Sequence, residues 1–336
     1  MVDNLWIQRS EGNGMAAQPP KSYNTKPSDH SGVQSNENRS THRQVVSPTA
    51  SDLAKDRLNG LAITRLREAD QDVPGFVLVH GAMDRASSMR RLAKALAPFP
   101  VTIYDRRGYA GSLEKSGSVD AEDVSGRNHV EDLKLLVRER PTVVFGHSMG
   151  GTIALMMAAK SAPANLLGLV IFEAPLPAEP WWPSWLAKPK EFFAELDPAH
   201  VERRAEAFMR RMIGEENWRR LPSSTQASRR LEGFTMIKEG ASLAGFESAF
   251  STRAVTHPTT SSLGQFGSFR HRLGQLHMEK TINDLRSTCI VGSGHGAHLS
   301  HPRAVAELCV DLMAEVAPNF HAILAELHMS RRDDNC

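Results

Sequence analysis

Apolar residues form short runs at 75–80, 101–104, 142–145 and 166–172. Each run is too short for a helix and contains β-branched residues, so we interpret these runs as buried strands. Helical spacing of apolar residues lies between them at 85–97 and 129–137, and residues 152–159 are apolar throughout. Strands alternating with helices predict an α/β fold with a mostly parallel sheet and helices on both faces.

The remaining elements are less clearly marked. Residues 58–66 are predicted to form a first strand, and 257–263 a weaker one in which Thr and Ser dominate. A helix is expected at 270–285 and a last strand at 287–291. Apolar spacing over 305–316 predicts a closing helix that covers this strand.

The alternation of strands and helices stops at Pro175. Residues 175–250 hold four of the five tryptophans and show helical apolar spacing, which predicts an inserted helical cap. Trp181 and Trp182 directly follow the sheet. They either line a substrate pocket or only pack the cap onto the sheet, and the sequence leaves both interpretations open.

These patterns divide the chain into five predicted segments. Residues 1–52 are polar and low in aliphatic side chains, so we expect a disordered N-terminal tail. Residues 53–174 form the first part of the core, 175–250 the cap and 251–328 the second part of the core. Residues 329–336 form a polar C-terminal tail.

Composition narrows the function classes. The 336 residues include 40 basic and 38 acidic ones, so no charge excess favours nucleic acid or an anionic membrane as partner. No apolar run reaches the ~18 residues of a membrane span, and no signal-peptide pattern begins the chain. Three scattered cysteines form no disulfide framework, and we interpret Cys289 and Cys309 as buried apolar residues. A cytoplasmic location is expected, and the oligomeric state stays open.

The clearest motif for a catalytic residue is the sequence Gly-His-Ser-Met-Gly at 146–150. It lies between a predicted strand and a predicted helix, which is the context of a nucleophile elbow. The sharp turn exposes the hydroxyl of the central serine, and the helix start directs free N–H groups towards it. Ser148 is therefore predicted as a nucleophile, and the alternative is a structural serine that caps a buried helix.

Four ordered motifs resemble those of the α/β-hydrolase superfamily over roughly residues 60–317. They are His80-Gly81 after a strand, the segment 105–112, the elbow at 146–151, and Gly294-His295 followed by a proline. Within the superfamily the chain resembles a bacterial group with H-G-A-M-D-R, D-R-R-G-Y and W-W-P motifs and an acid before P-L-P. The resemblance implies an α/β-hydrolase fold with a cap and names no substrate.

The resemblance also implies which histidine is the base. His295 lies in the glycine-flanked loop where the superfamily keeps this residue, with His298 and His301 as neighbouring alternatives. His80 and His147 flank glycine turns and are expected to shape the oxyanion loop and the elbow. His147 is also a candidate for the substrate pocket.

The triad acid departs from the commonest pattern, because residues 263–268 contain no carboxylate. Glu173 ends the strand after the elbow helix, a position from which some relatives supply the acid. A carboxylate there would be costly to bury without a partner. We therefore predict Glu173 as the acid, with a structural salt bridge or Asp284 as alternatives. Glu279 is expected to be a surface residue.

The oxyanion hole is expected to use two backbone N–H groups, those of Ala82 and Met149. Asp105 and Arg106 are expected to hold the neighbouring loop by hydrogen bonds. A nucleophilic Asp105 is disfavoured by the elbow serine. The serine also argues against dehalogenation and epoxide opening, which use an elbow aspartate in the resembling branches.

The sequence thus predicts a serine esterase that cleaves a carboxylic ester or related acyl substrate with a catalytic triad. Ser148 attacks, His295 is the base and Glu173 orients it, without metal or cofactor. Two other hypotheses stay open: a cofactor-free lyase or oxygenase on the same fold, and a binding protein without turnover. The expected partner is a small acyl substrate, and neither nucleic acid nor membrane is expected.

Overall fold

The chain is represented here by a computed structural model. It describes residues 54–67, 69–113, 123–177, 179–182, 197–245 and 249–333. The predicted tail at 1–52, Pro183 of the W-W-P motif and the cap segment 183–196 lie outside the described residues.

One sheet of eight strands is described, in the order β1-β2-β4-β3-β5-β6-β7-β8. The strands are β1 (Ala54–Leu58), β2 (Leu61–Leu66), β3 (Gly75–Val79), β4 (Val101–Tyr104), β5 (Thr142–His147), β6 (Leu166–Phe172), β7 (Thr259–Gly264) and β8 (Leu285–Ile290). β1 and β2 pair antiparallel, β2 also runs antiparallel to β4, and the other neighbours are parallel. The predicted mostly parallel sheet is confirmed.

The predicted strand 58–66 is instead a hairpin. β1 ends at Leu58 and β2 begins at Leu61, and the two connecting residues both have positive φ. These are Asn59 at 51° and Gly60 at 82°. Asn-Gly is the preferred two-residue turn with this geometry, because both residues tolerate the left-handed conformation. The turn signal was present in the sequence, inside a run that otherwise resembles one strand.

Helices fill the connections. They are α1 (Arg90–Ala95), α2 (Gly126–Val137), α3 (Met149–Ser161), α4 (Pro198–Ile213), α5 (Glu215–Arg220), α6 (Ser223–Leu231), α7 (Gly233–Ala244), α8 (Phe269–Thr281), α9 (Ala297–Ser300), α10 (Pro302–Val316) and α11 (Phe320–Asp333). The predicted helix 85–97 is a 3-10 turn followed by α1. The predicted helix 270–285 ends at Thr281, so the last strand begins earlier than expected. α11 extends to Asp333, into the stretch expected to be a tail.

The core lies on both faces of the sheet. Val144 of β5 packs with Ile153 and Leu155 of α3 on one face, whereas Phe145 packs with Leu312 of α10 on the other. Successive strand residues point to opposite faces, so these neighbours separate into two layers. The sheet is therefore covered on both sides, as the alternating pattern predicts.

The described part of the cap has four helices, α4 to α7, between β6 and β7. Its predicted apolar face is largely buried, with Ala205 and Met209 packed against Trp218 and against Tyr109 of the core. Met212 departs from this prediction, because it is 40% exposed. The apolar face of α4 thus attaches the cap to the loop that follows β4.

The two described cysteines differ in burial. Cys309 is buried in α10, as expected, and burial raises the pKa of its thiol. Cys289 is exposed, which corrects the prediction that it is buried. It lies on β8, which is the edge strand of the sheet formed by the described residues.

Among the described helices, none combines the length and the apolar character needed to cross a membrane.

Candidate active site

Ser148 occupies a sharp turn between β5 and α3. Its backbone has φ 51° and ψ −123°, a conformation that side-chain-bearing residues rarely adopt. A Cβ at Gly146 would lie 2.6 Å from Gly151 Cα, and one at Gly150 would lie 2.7 Å from the carbonyl oxygen of His80. Glycine is therefore required on both sides of the serine. Positive φ at a non-glycine residue is strained and is typical of functional sites.

Met149 is the first residue of α3. Its N–H has no partner within the helix, since the first N–H groups of a helix have no carbonyl one turn before them. The positive end of the helix dipole lies at the same place. The turn therefore combines a half-buried serine with a donor suited to negative charge.

Glu173 follows β6 and contacts His295 directly. Its Oε2 lies 2.6 Å from His295 Nδ1, and its side chain has no exposed surface. Oε1 accepts a hydrogen bond of 2.9 Å from the N–H of Gly264. A carboxylate only accepts, so Nδ1 carries the proton and Nε2 keeps the lone pair of a neutral imidazole. His295 is thereby held in the tautomer that a general base needs.

The charge of Glu173 is favoured by its partners. Burial alone raises its pKa, but the hydrogen bonds from His271 and His295 outweigh burial and lower the pKa to about 2. Glu173 is therefore ionised at neutral pH and can stabilise a cationic imidazole.

His271 is a site residue that sequence reasoning missed. Its Nδ1 lies 3.2 Å from Glu173 Oε2 and 3.1 Å from the hydroxyl oxygen of Ser268. Its ring lies parallel to that of His295, with centroids 5.0 Å apart. A signal existed, because Ser268 is an N-cap residue that starts a helix in the connection where relatives carry the loop acid.

Ser148 is linked to His295 through its neighbour His147. His147 Nε2 donates to the carbonyl oxygen of His295 over 2.8 Å, and the two rings have centroids 4.7 Å apart. Between the described residues, no hydrogen bond joins the Ser148 hydroxyl to the His295 ring. The structure thus brings Glu173 and His295 into contact. The backbone N–H of Ser148 donates over 2.8 Å to the carbonyl oxygen of Phe172, the residue before Glu173.

The alternative residues lie elsewhere or have other partners. Asp284 is exposed and precedes β8, so it lies at the amino end of the strand that leads to His295. Glu279 is exposed on α8, as expected. His301 Nδ1 lies 2.9 Å from the hydroxyl of Ser300. His298 faces Asp84 rather than Glu173.

His80 and Arg106 hold the loop that carries Ala82. Arg106 Nε donates to the carbonyl of His80 over 2.9 Å, and its Nη2 donates to the carbonyl of Gly81 over 3.0 Å. His80 Nε2 accepts from the backbone N–H of Arg106 over 2.9 Å. Burial and the Arg106 charge lower the pKa of His80 to about 3, so its ring is neutral. Asp105 accepts from the N–H of Ala86 over 2.8 Å, so both residues hold this region as expected.

Two buried acids of the cap attach it to these loops, and sequence reasoning missed both. Glu239 pairs with Arg106 and accepts from the Tyr109 hydroxyl over 2.6 Å. Glu232 accepts from Arg85 over 2.8 Å and from the N–H of Ala110 over 3.0 Å. The available signal was that Glu232 and Glu239 lie seven residues apart, at the N-cap of α7 and within it, and so fall on one side of a helix whose apolar spacing was predicted.

Each of the two tryptophans predicted to line a substrate pocket packs close to a histidine of α8. Trp182 lies 5.7 Å from the ring of His271, and Trp181 lies 6.2 Å from that of His277. Trp181 also packs against the core. A surface cleft of about 590 Å³ lies between β2 and the loop of Asp105, and neither Ser148 nor any triad candidate lines it.

Comparisons with known proteins agree with this architecture. An esterase from Thermogutta terrifontis is 20% identical with a TM-score of 0.54, covering 79% of this chain and 98% of its own. An esterase from Exiguobacterium antarcticum is 17% identical with a TM-score of 0.53, covering 76% and 97%. The epoxide hydrolase CorEH is 18% identical with a TM-score of 0.56, covering 79% and 99%. At these low sequence identities, the similarity shows that the fold is shared and does not indicate a shared activity.

Comparison with curated protein sequences gives no significant match. The sequence model of the alpha/beta hydrolase family, however, matches residues 76–308, well over half of the 336 residues. The matched range contains the elbow, Glu173 and His295. The chain therefore belongs to the alpha/beta hydrolase family.

Proposed function

We propose that this protein is a serine hydrolase that cleaves a carboxylic ester or related acyl substrate through an acyl-enzyme. Ser148 is the nucleophile, His295 the general base and Glu173 the acid that orients it. The N–H groups of Ala82 and Met149 form the oxyanion hole. The proposal rests chiefly on one observation: a buried carboxylate lies 2.6 Å from His295 Nδ1, and the residue before the elbow serine, His147, donates to the carbonyl oxygen of the same histidine.

The residues fit an acyl-transfer sequence. His295 Nε2 takes the proton of Ser148 as its oxygen attacks the substrate carbonyl, and the resulting oxyanion accepts from the two N–H groups. His295 then protonates the leaving alcohol, which leaves an acyl group on Ser148. Water, deprotonated by His295, attacks this ester and releases the acid. Catalytic hydrogen bonds are often long or poorly aligned before the substrate binds. The lack of a Ser148–His295 hydrogen bond between the described residues is therefore compatible with the proposal.

Neighbouring activities on this fold provide a comparison. One structural neighbour is called an epoxide hydrolase and two are called esterases. Epoxide opening in the resembling branches uses an elbow aspartate, whereas this chain has Ser148 there. The elbow residue therefore favours acyl chemistry.

A fluorophosphonate probe tests the proposal, combined with a panel of p-nitrophenyl esters of increasing acyl length. We expect the probe to label Ser148, and Ser148→Ala to lose labelling and about 10⁴–10⁶-fold in kcat. Ser161→Ala, an exposed serine at the other end of α3, serves as the control and should keep both. Undiminished ester turnover by Ser148→Ala rejects the proposal.

The same experiment separates the competing hypotheses. A lyase or oxygenase that uses His295 as a base would lose activity in His295→Ala but form no acyl-enzyme. A binding protein would give neither labelling nor turnover. A cytoplasmic location and a small acyl substrate remain parts of the proposal. The panel of p-nitrophenyl esters tests which acyl length the enzyme prefers.

A further inference from the structure

Asp84, His147 and His298 come together from three separate segments of the chain. Asp84 follows β3, His147 ends β5 and His298 lies in α9. One potential ligand atom from each side chain lies within 4.8 Å of those of the other two. Asp84 Oδ2 is 3.5 Å from His298 Nε2, and the two imidazole centroids are 4.2 Å apart. We refer to these three residues as the Asp-His-His cluster.

The cluster contains buried nitrogens without hydrogen-bond partners. His147 is 6% exposed and His298 1% exposed. Within the described part of the chain, His147 Nδ1 and both ring nitrogens of His298 have no such partner. His147 Nε2 donates to the carbonyl of His295, so Nδ1 holds the lone pair. Buried polar atoms nearly always have hydrogen-bond partners, so these nitrogens are candidate ligand atoms.

A second group of similar composition provides the contrast. Glu173, His271 and His295 also lie close enough to share an ion. Their Nδ1 atoms, however, are already engaged by the carboxylate and, for His271, by the Ser268 hydroxyl. That group is satisfied by its own hydrogen bonds. In the Asp-His-His cluster, Asp84 accepts from the N–H of Arg85 and from the hydroxyl of Ser88, each over 2.8 Å, whereas the imidazole nitrogens named above have no such partner among the described residues.

We propose that the Asp-His-His cluster binds a divalent transition-metal ion such as Zn²⁺. Two imidazoles and one carboxylate form a ligand set that suits this class of ion. Two ligand atoms at about 2.1 Å from a tetrahedral zinc lie about 3.4 Å apart, close to the spacing of Asp84 Oδ2 and His298 Nε2. Three protein ligands leave a fourth position for water.

The ion would connect three chain segments of the candidate active site. Asp84 lies two residues after Ala82, His147 precedes Ser148, and His298 lies three residues after His295. A shared ion would therefore fix these segments relative to one another. It takes part in no step of the proposed acyl transfer, so this inference can stand or fall independently of the proposed function.

The test uses the full chain without a histidine tag, depleted of metal and titrated with ZnCl₂ in a calorimeter. Co²⁺ absorption reports the ligand geometry. We expect one ion per chain and a rise in melting temperature with metal. His298→Ala and Asp84→Asn should weaken binding by more than the ~10–100-fold typical of outer-shell changes. His301→Ala, in the same loop, should bind like the wild type.

Three results would overturn the inference. The folded wild type could bind no stoichiometric metal, which would leave water or a direct Asp84–His298 hydrogen bond to satisfy the nitrogens. His298→Ala and Asp84→Asn, shown to be folded by circular dichroism, could both bind as tightly as the wild type. Binding could also be lost in His271→Ala and kept in His298→Ala, which would place the ion at Glu173.

Discussion

Arg106 and Glu239 form an ion pair in which neither side chain has exposed surface. Arg106 belongs to the loop after β4, and Glu239 lies on α7 of the cap. The same guanidinium donates to the carbonyls of His80 and Gly81, which immediately precede Ala82. The ion pair therefore connects the cap to the loop that carries a proposed oxyanion donor.

Glu239→Ala should destabilise the protein strongly. The substitution leaves a buried guanidinium without its carboxylate, and breaking such a pair typically costs about 3–5 kcal/mol. We expect a corresponding loss in the free energy of unfolding, measured by urea denaturation. If the protein has esterase activity, kcat should fall more than KM rises, because the oxyanion loop loses its support.

Glu216→Ala is the matched control for this prediction. Glu216 also pairs with an arginine, Arg220, but the two side chains are 78% and 71% exposed. Exposed pairs contribute about 0–1 kcal/mol, so the variant should be close to the wild type. A similar loss in both variants would show that the buried pair has no special role.

Glu173→Gln tests the assignment of the triad acid. An amide cannot stabilise the imidazole cation as a carboxylate does, and kcat should fall by about 10⁴-fold on the preferred ester. Asp284→Asn removes the competing acid predicted from the sequence and should leave kcat unchanged, since Asp284 is exposed at the other end of β8. The reverse pattern of losses would reassign the acid.

Glu173 also predicts how stability changes in acid. Its pKa is lowered from 4.5 to about 2 in the folded chain, so it contributes stability that is fully present above pH 4.5. The contribution, on the order of 3 kcal/mol, is lost as the pH falls from about 4.5 to about 2. The difference in unfolding free energy between wild type and Glu173→Gln should therefore shrink from pH 7 to pH 3.

Exposed Glu279→Gln provides the reference for the acid series. Its difference from the wild type should stay small at every pH. If the Glu173→Gln difference is equally constant down to pH 3, the folded carboxylate does not have a lowered pKa, and its contacts with His271 and His295 would be weaker than the geometry indicates.

The parts of the fold predicted from sequence are those that local patterns decide. β6 is a continuous aliphatic run, and its observed bounds Leu166–Phe172 are the predicted ones. β7 is harder to predict, because Thr and Ser fill a strand that is buried only through its neighbours β6 and β8. There Gln275 reaches from α8 towards the carbonyls of Ser261 and Thr288, a contact that only the tertiary structure shows.

The candidate site divides in the same way. Ser148 and Glu173 were predicted because each follows a strand, and the carboxyl ends of parallel strands share one edge of the sheet. His295 was predicted from the resemblance of its glycine-flanked loop to that of the α/β-hydrolase superfamily. His271 and Glu239 could not be predicted, because their contacts depend on how α8 and the cap pack on that edge. The sequence can show on which face of a helix a residue lies, whereas the residue that it contacts there depends on how the whole chain folds.

Gly146→Ala tests whether the elbow needs its glycine. A methyl group there would lie 2.6 Å from Gly151 Cα and 2.8 Å from the carbonyl oxygen of Gly150, both backbone atoms. The turn must shift to make room, which should cost about 1–3 kcal/mol of stability. A displacement of about 1 Å at the nucleophile is expected to lower kcat by about 10²-fold, even if the variant folds.

Gly296→Ala is a matched control, because Gly296 directly follows His295 but has no atom within 4 Å of the position of an added Cβ. Its φ of −94° is also accessible to alanine, so stability and kcat should stay close to those of the wild type. Measured by thermal denaturation and ester turnover, the two variants should differ clearly. If Gly146→Ala behaves like Gly296→Ala, the elbow tolerates a side chain and the strained geometry at Ser148 is not what positions its hydroxyl.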